Sequence, residues 1–134
     1  MDAGRVVIVE AMIKDKSGKI LLLKRSSKNR YYVNKWQLPG GKVEFGEDLQ
    51  KAIRREIKEE TGRIAIKPKL ERVFSVKEKH NSNTSEVTLL LYSAKIRGEI
   101  KLSKDHSEYR YIALKDIKQT SLMKISKTSL FSKH

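Results

Sequence analysis

Between Gly40 and Gly62 the chain reads GGKVEFGEDLQKAIRREIKEETG, and Glu56, Glu59 and Glu60 follow one another at spacings of three and one. On a helix, positions three and four apart are neighbours, so Glu56 adjoins both Glu59 and Glu60. At about 100° per residue, Leu49, Ala52, Ile53 and Ile57 fall on one arc, which must face a sheet. Lys51, Arg54 and Lys58 fall on the opposite side, in water. Glu56 and Glu60 project within the apolar arc, close to Leu49, and Glu59 stands at its edge beside Ala52. Like charges packed at a partly buried face repel and resist desolvation. A hard divalent cation relieves both problems, since carboxylate oxygens, backbone carbonyls and water are what magnesium or manganese prefers. The plain alternative is a surface helix whose glutamates pair with lysines. Its lysines lie on the wrong face for that.

The segments around this helix are expected to position it. Arg5 to Ile13 (RVVIVEAMI) is rich in β-branched residues and reads as a strand, followed by a turn over Lys14 to Lys19. Ile20 to Lys24 reads as the returning strand and Arg25 to Lys35 as a basic loop. Trp36-Gln37-Leu38 reads as a short strand stopped by Pro39-Gly40-Gly41. The helix is expected over about 48–61, with Gly62 as its C-terminal cap. Leu70 to Val76 and Glu86 to Ile96 are two further strands separated by the polar loop KEKHNSNTSE, and Glu108 to Leu114 is the last. The tail from Lys115 reads as helical, with Leu122, Ile125 and Leu130 as docking residues. Strands interleaved with one strong and one weaker helix indicate an α/β or α+β sandwich. At 134 residues, a single domain over 1–134 is expected.

Composition narrows the function classes. The chain has no cysteine, which excludes disulfides, zinc–thiolate sites and thiol catalysis. No apolar run is long enough to cross a bilayer, and the first residues lack a small-residue cleavage site, so a cytoplasmic protein is expected. The formal charge is +14, yet the stretch from Gly40 to Gly62 holds six acids against five bases. A basic body around an acidic centre suits a polyanion such as a nucleotide or nucleic acid. A lysine-rich surface that only keeps the chain soluble stays open beside that reading.

Gly41, five residues, Glu47, seven residues, then Arg55-Glu56-Ile57-Lys58-Glu59-Glu60-Thr61-Gly62 resembles the Nudix box. One position departs: Arg63 stands where the box closes on an apolar residue, with Ile64 following. The flank NKWQLPGGKVEFGED resembles MutT-like members, and the strand order resembles the Nudix α/β/α sandwich with its mixed sheet and catalytic loop–helix. The resemblance implies that Glu56 and Glu60 ligate Mg2+, with Mn2+ as a substitute, and that the Gly40 carbonyl completes the shell. Glu59 would ligate metal or position the attacking water. Arg55 and Glu47 would form an ion pair that orients the helix. Gly40 and Gly41 make sense independently, because a loop approaching metal and phosphate needs a bare backbone.

The reaction so implied is hydrolysis of a nucleoside diphosphate linked to another moiety. Lys24 and Arg25 would be the basic pair near the phosphates, their alternative being a solvated strand end. Glu108 is the later-loop candidate for general base or extra ligand. His80 and His106 are minor candidates. Trp36, with Tyr31 and Tyr32, would stack on a base or else belong to the core. The family's markers for ADP-ribose (a proline) and diadenosine polyphosphates (a tyrosine) are missing around Glu78 to Asn81, and upstream signatures for coenzyme A and NADH cleavage are missing too. That leaves nucleoside triphosphates, oxidised ones included, as the leading expectation. Two other readings stay open: removal of pyrophosphate from an RNA 5′ end, prompted by the charge, and a nucleotide- or RNA-binding module without catalysis. A monomer or homodimer away from membranes is expected.

Overall fold

A computed structural model describes residues 4–80 and 82–132 of the chain. Its elements are β1 (Arg5–Ile13), β2 (Ile20–Arg25), β3 (Trp36–Gln37), β4 (Gly40–Lys42), α1 (Leu49–Thr61), β5 (Ile66–His80), β6 (Asn83–Lys95), β7 (His106–Ile112), α2 (Leu114–Ile117) and α3 (Lys124–Phe131). One sheet runs β4-β1-β6-β5 and is mixed, since β1 pairs parallel with β6 and antiparallel with β4. The other runs β3-β2-β7 and is antiparallel throughout.

Period-two alternation divides the apolar residues between two cores. Val9, Ala11 and Ile13 of β1 join Leu21 and Leu23 of β2 and Ala52, Ile53 and Ile57 of α1 in the first. Ile20 and Leu22 of β2 join Trp36, Leu38, Ile117, Leu122 and Leu130 in the second. Helices therefore cover both sides, giving the expected three layers. Leu122 and Leu130 dock the C-terminal segment as the sequence suggested, while Ile125 is only half-buried.

α1 begins where the Asp48 carboxylate accepts from the Lys51 N–H at 3.2 Å, a capping bond for a donor the helix cannot satisfy. It ends at Gly62, whose φ of 72° admits glycine at least cost and whose N–H reaches the Lys58 carbonyl. Leu49 is a correction: in the first turn of the helix it stays exposed instead of facing the sheet.

The expected polar loop is also a correction. β5 continues to His80 and β6 starts at Asn83, with register maintained from Lys77↔Glu86 to His80↔Asn83. A ribbon with both faces in water needs no apolar alternation, only backbone pairing, so its sequence imitates a loop. β5 also starts before Leu70, through irregular register at Ile66 and Lys69. The His80 side chain and Asn81 lie outside the described residues.

Candidate active site

β4 and α1 bring the glycine loop and the acids together. The Gly40 N–H donates to Glu60 Oε1 at 2.8 Å, which ties the loop to the last turn of the helix. At Gly41 a Cβ would stand 2.6 Å from Glu56 Oε1, so any other residue there would push that carboxylate aside. At Gly40 a Cβ would stand 2.1 Å from the Val9 carbonyl oxygen. Gly40 is therefore required by close approach of backbone, while Gly41 leaves the Glu56 carboxylate its place.

Arg55 gathers the remaining acids. Its Nε and Nη2 donate to the two Glu47 oxygens at 2.7 and 2.9 Å, a bidentate pair that fixes the box loop against the helix. Its Nη1 donates to Glu56 Oε1 at 2.8 Å and, more weakly, to Glu59 Oε2 at 3.4 Å. The hydrogen bonds from Arg55 hold the Glu47 carboxyl down at about 2. The same bonds raise the guanidinium above its ordinary value.

Glu56 and Glu60 are not so well compensated. Glu56 is 8 % exposed, and burial pushes its carboxyl up against the opposing pull of Arg55. Burial lifts the Glu60 carboxyl well above its ordinary value, and Glu56, Glu10 and Glu59 add repulsion while the Gly40 N–H opposes. Glu60 as a residue is only partly exposed. Glu59 is the open member, with 57 % of its side chain exposed.

This donor set fits a hard divalent cation in its chemistry: oxygen only, under-neutralised and grouped on adjacent helical turns beside a carbonyl-bearing loop. Among the described residues, no three acid or histidine side chains already converge at ligating distance. Glu56 is turned to Arg55 and Glu60 to Gly40, so sharing one ion would require those carboxylates to swing.

Beside the glycine loop lies a cavity of about 460 Å³, lined by Glu10, Arg25, Tyr32, Gln37, Gly40 and Gly41 among others. That volume suits a small-molecule ligand. Arg25 is held at its wall by bonds from Nε to the Tyr31 carbonyl at 3.0 Å and from Nη1 to Gln37 Oε1 at 2.9 Å. Burial lowers its basicity, while Asp105 and Glu60 work the other way.

Three expected site residues are elsewhere. Adjacent strand residues point to opposite faces, so Lys24 turns away from Arg25 and pairs with Glu108 at 4.0 Å. Glu108 also meets Arg110 at 2.9 Å and does not line the cavity. Trp36 is 7 % exposed, belongs to the second core, and has Lys24 and Arg110 over its ring at 5.9 and 5.2 Å. A covered core ring is not a stacking platform. Tyr31 and Tyr32 do line the cavity. His106 is buried, and burial followed by the nearby Arg25 charge lowers it to about 4.

The sequence reading missed Glu10, which lies in the middle of β1 and yet lines the cavity. Its signal was visible as a lone acid inside the apolar run RVVIVEAMI. Gln37, whose Oε1 accepts from Arg25, carries no signal beyond its place in a short strand.

Fold and site together define a three-layer sandwich organised around one glycine-loop and acidic-helix unit. A family model described as NUDIX domain matches residues 4–131, and the chain belongs to that family. An ADP-ribose pyrophosphatase of Methanocaldococcus jannaschii is 36 % identical over 111 residues, 83 % of this chain and 63 % of that protein. The chain thus spans less than two thirds of that relative. The nucleoside triphosphatase NudI of Klebsiella pneumoniae is 26 % identical over 131 residues, covering 92 % of each chain. The crystal structure of a MutT protein from Methanosarcina mazei Go1 superimposes with a TM-score of 0.80 at 28 % identity, over 97 % of this chain and 93 % of that one. No helix among the described residues is long and apolar enough to cross a membrane.

Proposed function

We propose that the chain is a magnesium-dependent nucleotide pyrophosphohydrolase that converts a nucleoside triphosphate, oxidised forms included, to the monophosphate and pyrophosphate. The observation that carries this reading is the pair Glu56 and Glu60, held against Gly40 and Gly41 with their charge only partly neutralised. Glu56, Glu59, Glu60 and the Gly40 carbonyl would hold Mg2+, and Mn2+ would substitute. When bound, the ion neutralises charge developing on the phosphate oxygens and makes water a better nucleophile. Arg25 receives a phosphate group from the cavity wall. Glu59, exposed and only loosely held by Arg55, takes the proton from the attacking water. Arg55 and Glu47 keep helix and loop in register while the acids reorient.

The triphosphate is favoured because NudI, named for such substrates, matches along nearly its whole length. ADP-ribose is the second reading, supported by the name of the M. jannaschii relative and opposed by the missing proline marker. A turnover screen with Mg2+ decides between them, using canonical and oxidised nucleoside triphosphates, ADP-ribose and 5′-triphosphorylated RNA. Preference for a free triphosphate is expected. RNA as the best substrate, with activity that falls steeply with salt, would move the proposal to an RNA 5′ end. No turnover on any of them, with tight metal-independent nucleotide binding, would make the chain a binding module.

A further inference from the structure

Glu10 is an acid between the fully buried Val9 and Ala11 of β1, and it is itself only 4 % exposed. Its two oxygens accept from Ser126 Oγ and Ser129 Oγ, each at 2.6 Å. Both serines are buried and come from α3, three residues apart and so on one face of it. Ser126 has a second task, because its Oγ accepts from the Leu38 N–H at 3.0 Å. That backbone donor is buried and needs a partner. The same C-terminal segment holds Trp36 from both sides, through Trp36 N–H to the Ser121 carbonyl and Met123 N–H to the Trp36 carbonyl, each at 2.8 Å.

The chain of contacts leads to the site. Leu38 is two residues from Gly40, the Pro39 carbonyl accepts from the Ala11 N–H, and Glu10 is the register partner of Gly40. A Cβ on Gly40 would be 2.8 Å from the Glu10 Cα, so the two backbones are in contact. Gly40 then donates to Glu60. An eight-residue helix gains little from its own backbone and depends on docking. Leucines would dock it more simply than two buried serines and an acid. A fully satisfied polar network instead permits one arrangement.

We propose that Glu10, Ser126 and Ser129 are positioning residues: through them the C-terminal helix fixes the Gly40–Gly41 loop against Glu60, although α3 supplies no ligand. This rests on reading Gly40 and Glu60 as parts of the metal site, and the test separates the two claims. Amide exchange of Gly40 is followed by NMR in the metal-free chain for the parent, Ser126→Ala, Ser129→Ala and Ser126→Thr. Ser126→Ala should speed exchange at Gly40 on the order of ten-fold while mid-strand amides of β6 stay protected. Ser129→Ala should do so less, since Leu38 keeps its partner, and it serves if the first variant fails to fold. Ser126→Thr should restore protection. In parallel, Mn2+ titrated into the folded proteins should bind about ten-fold more weakly to Ser126→Ala, as for other groups that orient ligands. An unchanged Gly40 amide in folded Ser126→Ala or Ser129→Ala would overturn the proposal and leave the network as a mere anchor for α3. Failure of the parent to bind Mn2+ would instead sink the metal site, with the amide result still deciding the positioning claim.

Discussion

On one face of β2, Arg25 looks toward Glu10, Glu60 and the Gly40–Gly41 loop; on the other, Glu108 pairs with Lys24 and Arg110, and both cations lie over the Trp36 ring. Both regions combine acids with bases at a strand end, and both are rich in hydrogen bonds or ion pairs. The outer one places a single acid between two cations, with side chains 31–61 % exposed. One positive charge is left over, but it stands in water, where such charges are screened and such pairs contribute little. The inner one has more acids than bases and shields them from solvent. Unneutralised charge held out of water has a reason to bind something, and charge already solvated by water has much less.

Substitutions at the two faces should therefore differ widely in effect. Glu60→Gln keeps the shape of the side chain and removes one negative charge, and it should lower kcat by about three orders of magnitude. Its metal-free stability should not fall, since a repulsive contact is relieved. Retention of most activity would remove Glu60 from the site. Arg25→Ala should lower kcat/KM through loss of a charge-assisted phosphate contact of roughly 1.5–3 kcal/mol. Unchanged kinetics with a lower Tm would make Arg25 structural, a tether for the Tyr31 loop.

His106 lies between the two regions in effect, since it acts through pH. Its folded-state value of about 4 is below the ordinary 6.5, so the unfolded chain takes up its proton first as pH falls. The parent should accordingly lose stability between pH 6.5 and 4 relative to His106→Phe. After discounting for solvent screening, a relative loss of about 2 kcal/mol is expected in paired denaturation curves. Comparison with the variant cancels the acids that titrate in the same window. A constant gap across that range would show that His106 is not buried as a neutral ring.

The smallest effects belong to the outer face. Lys24→Ala and Glu108→Gln should each change stability by no more than about 1 kcal/mol and leave kcat/KM within roughly three-fold. A large loss of kcat in Glu108→Gln would restore it as the base and break the contrast between the two faces.

What the sequence disclosed follows from where each signal comes from. α1 was legible because capping, apolar spacing and inward glutamates all agree over one stretch, and β1 and β2 because β-branched and leucine runs end at turns. The Glu47–Arg55 pair was legible only through the resemblance, since eight residues apart on a loop and a helix imply no contact. The β5–β6 ribbon was hidden because pairing there relies on backbone, which composition does not record. Lys24 and Arg25 look like a pair by adjacency, yet strand alternation sends them to opposite faces. Ser126 and Ser129 carried no signal at all: serine is ordinary on a surface helix, and their partner Glu10 is 116 and 119 residues away.

The central claim is that the inward acids of α1 form a metal site, and thermal denaturation against Mg2+ concentration for the parent and Glu60→Gln tests it most directly. A cation that binds only the folded chain must raise Tm progressively. The parent should show that rise and lose it in EDTA, while Glu60→Gln should begin at or above the metal-free parent and barely respond. A parent indifferent to Mg2+, or a variant that gains as much as the parent, would contradict the account.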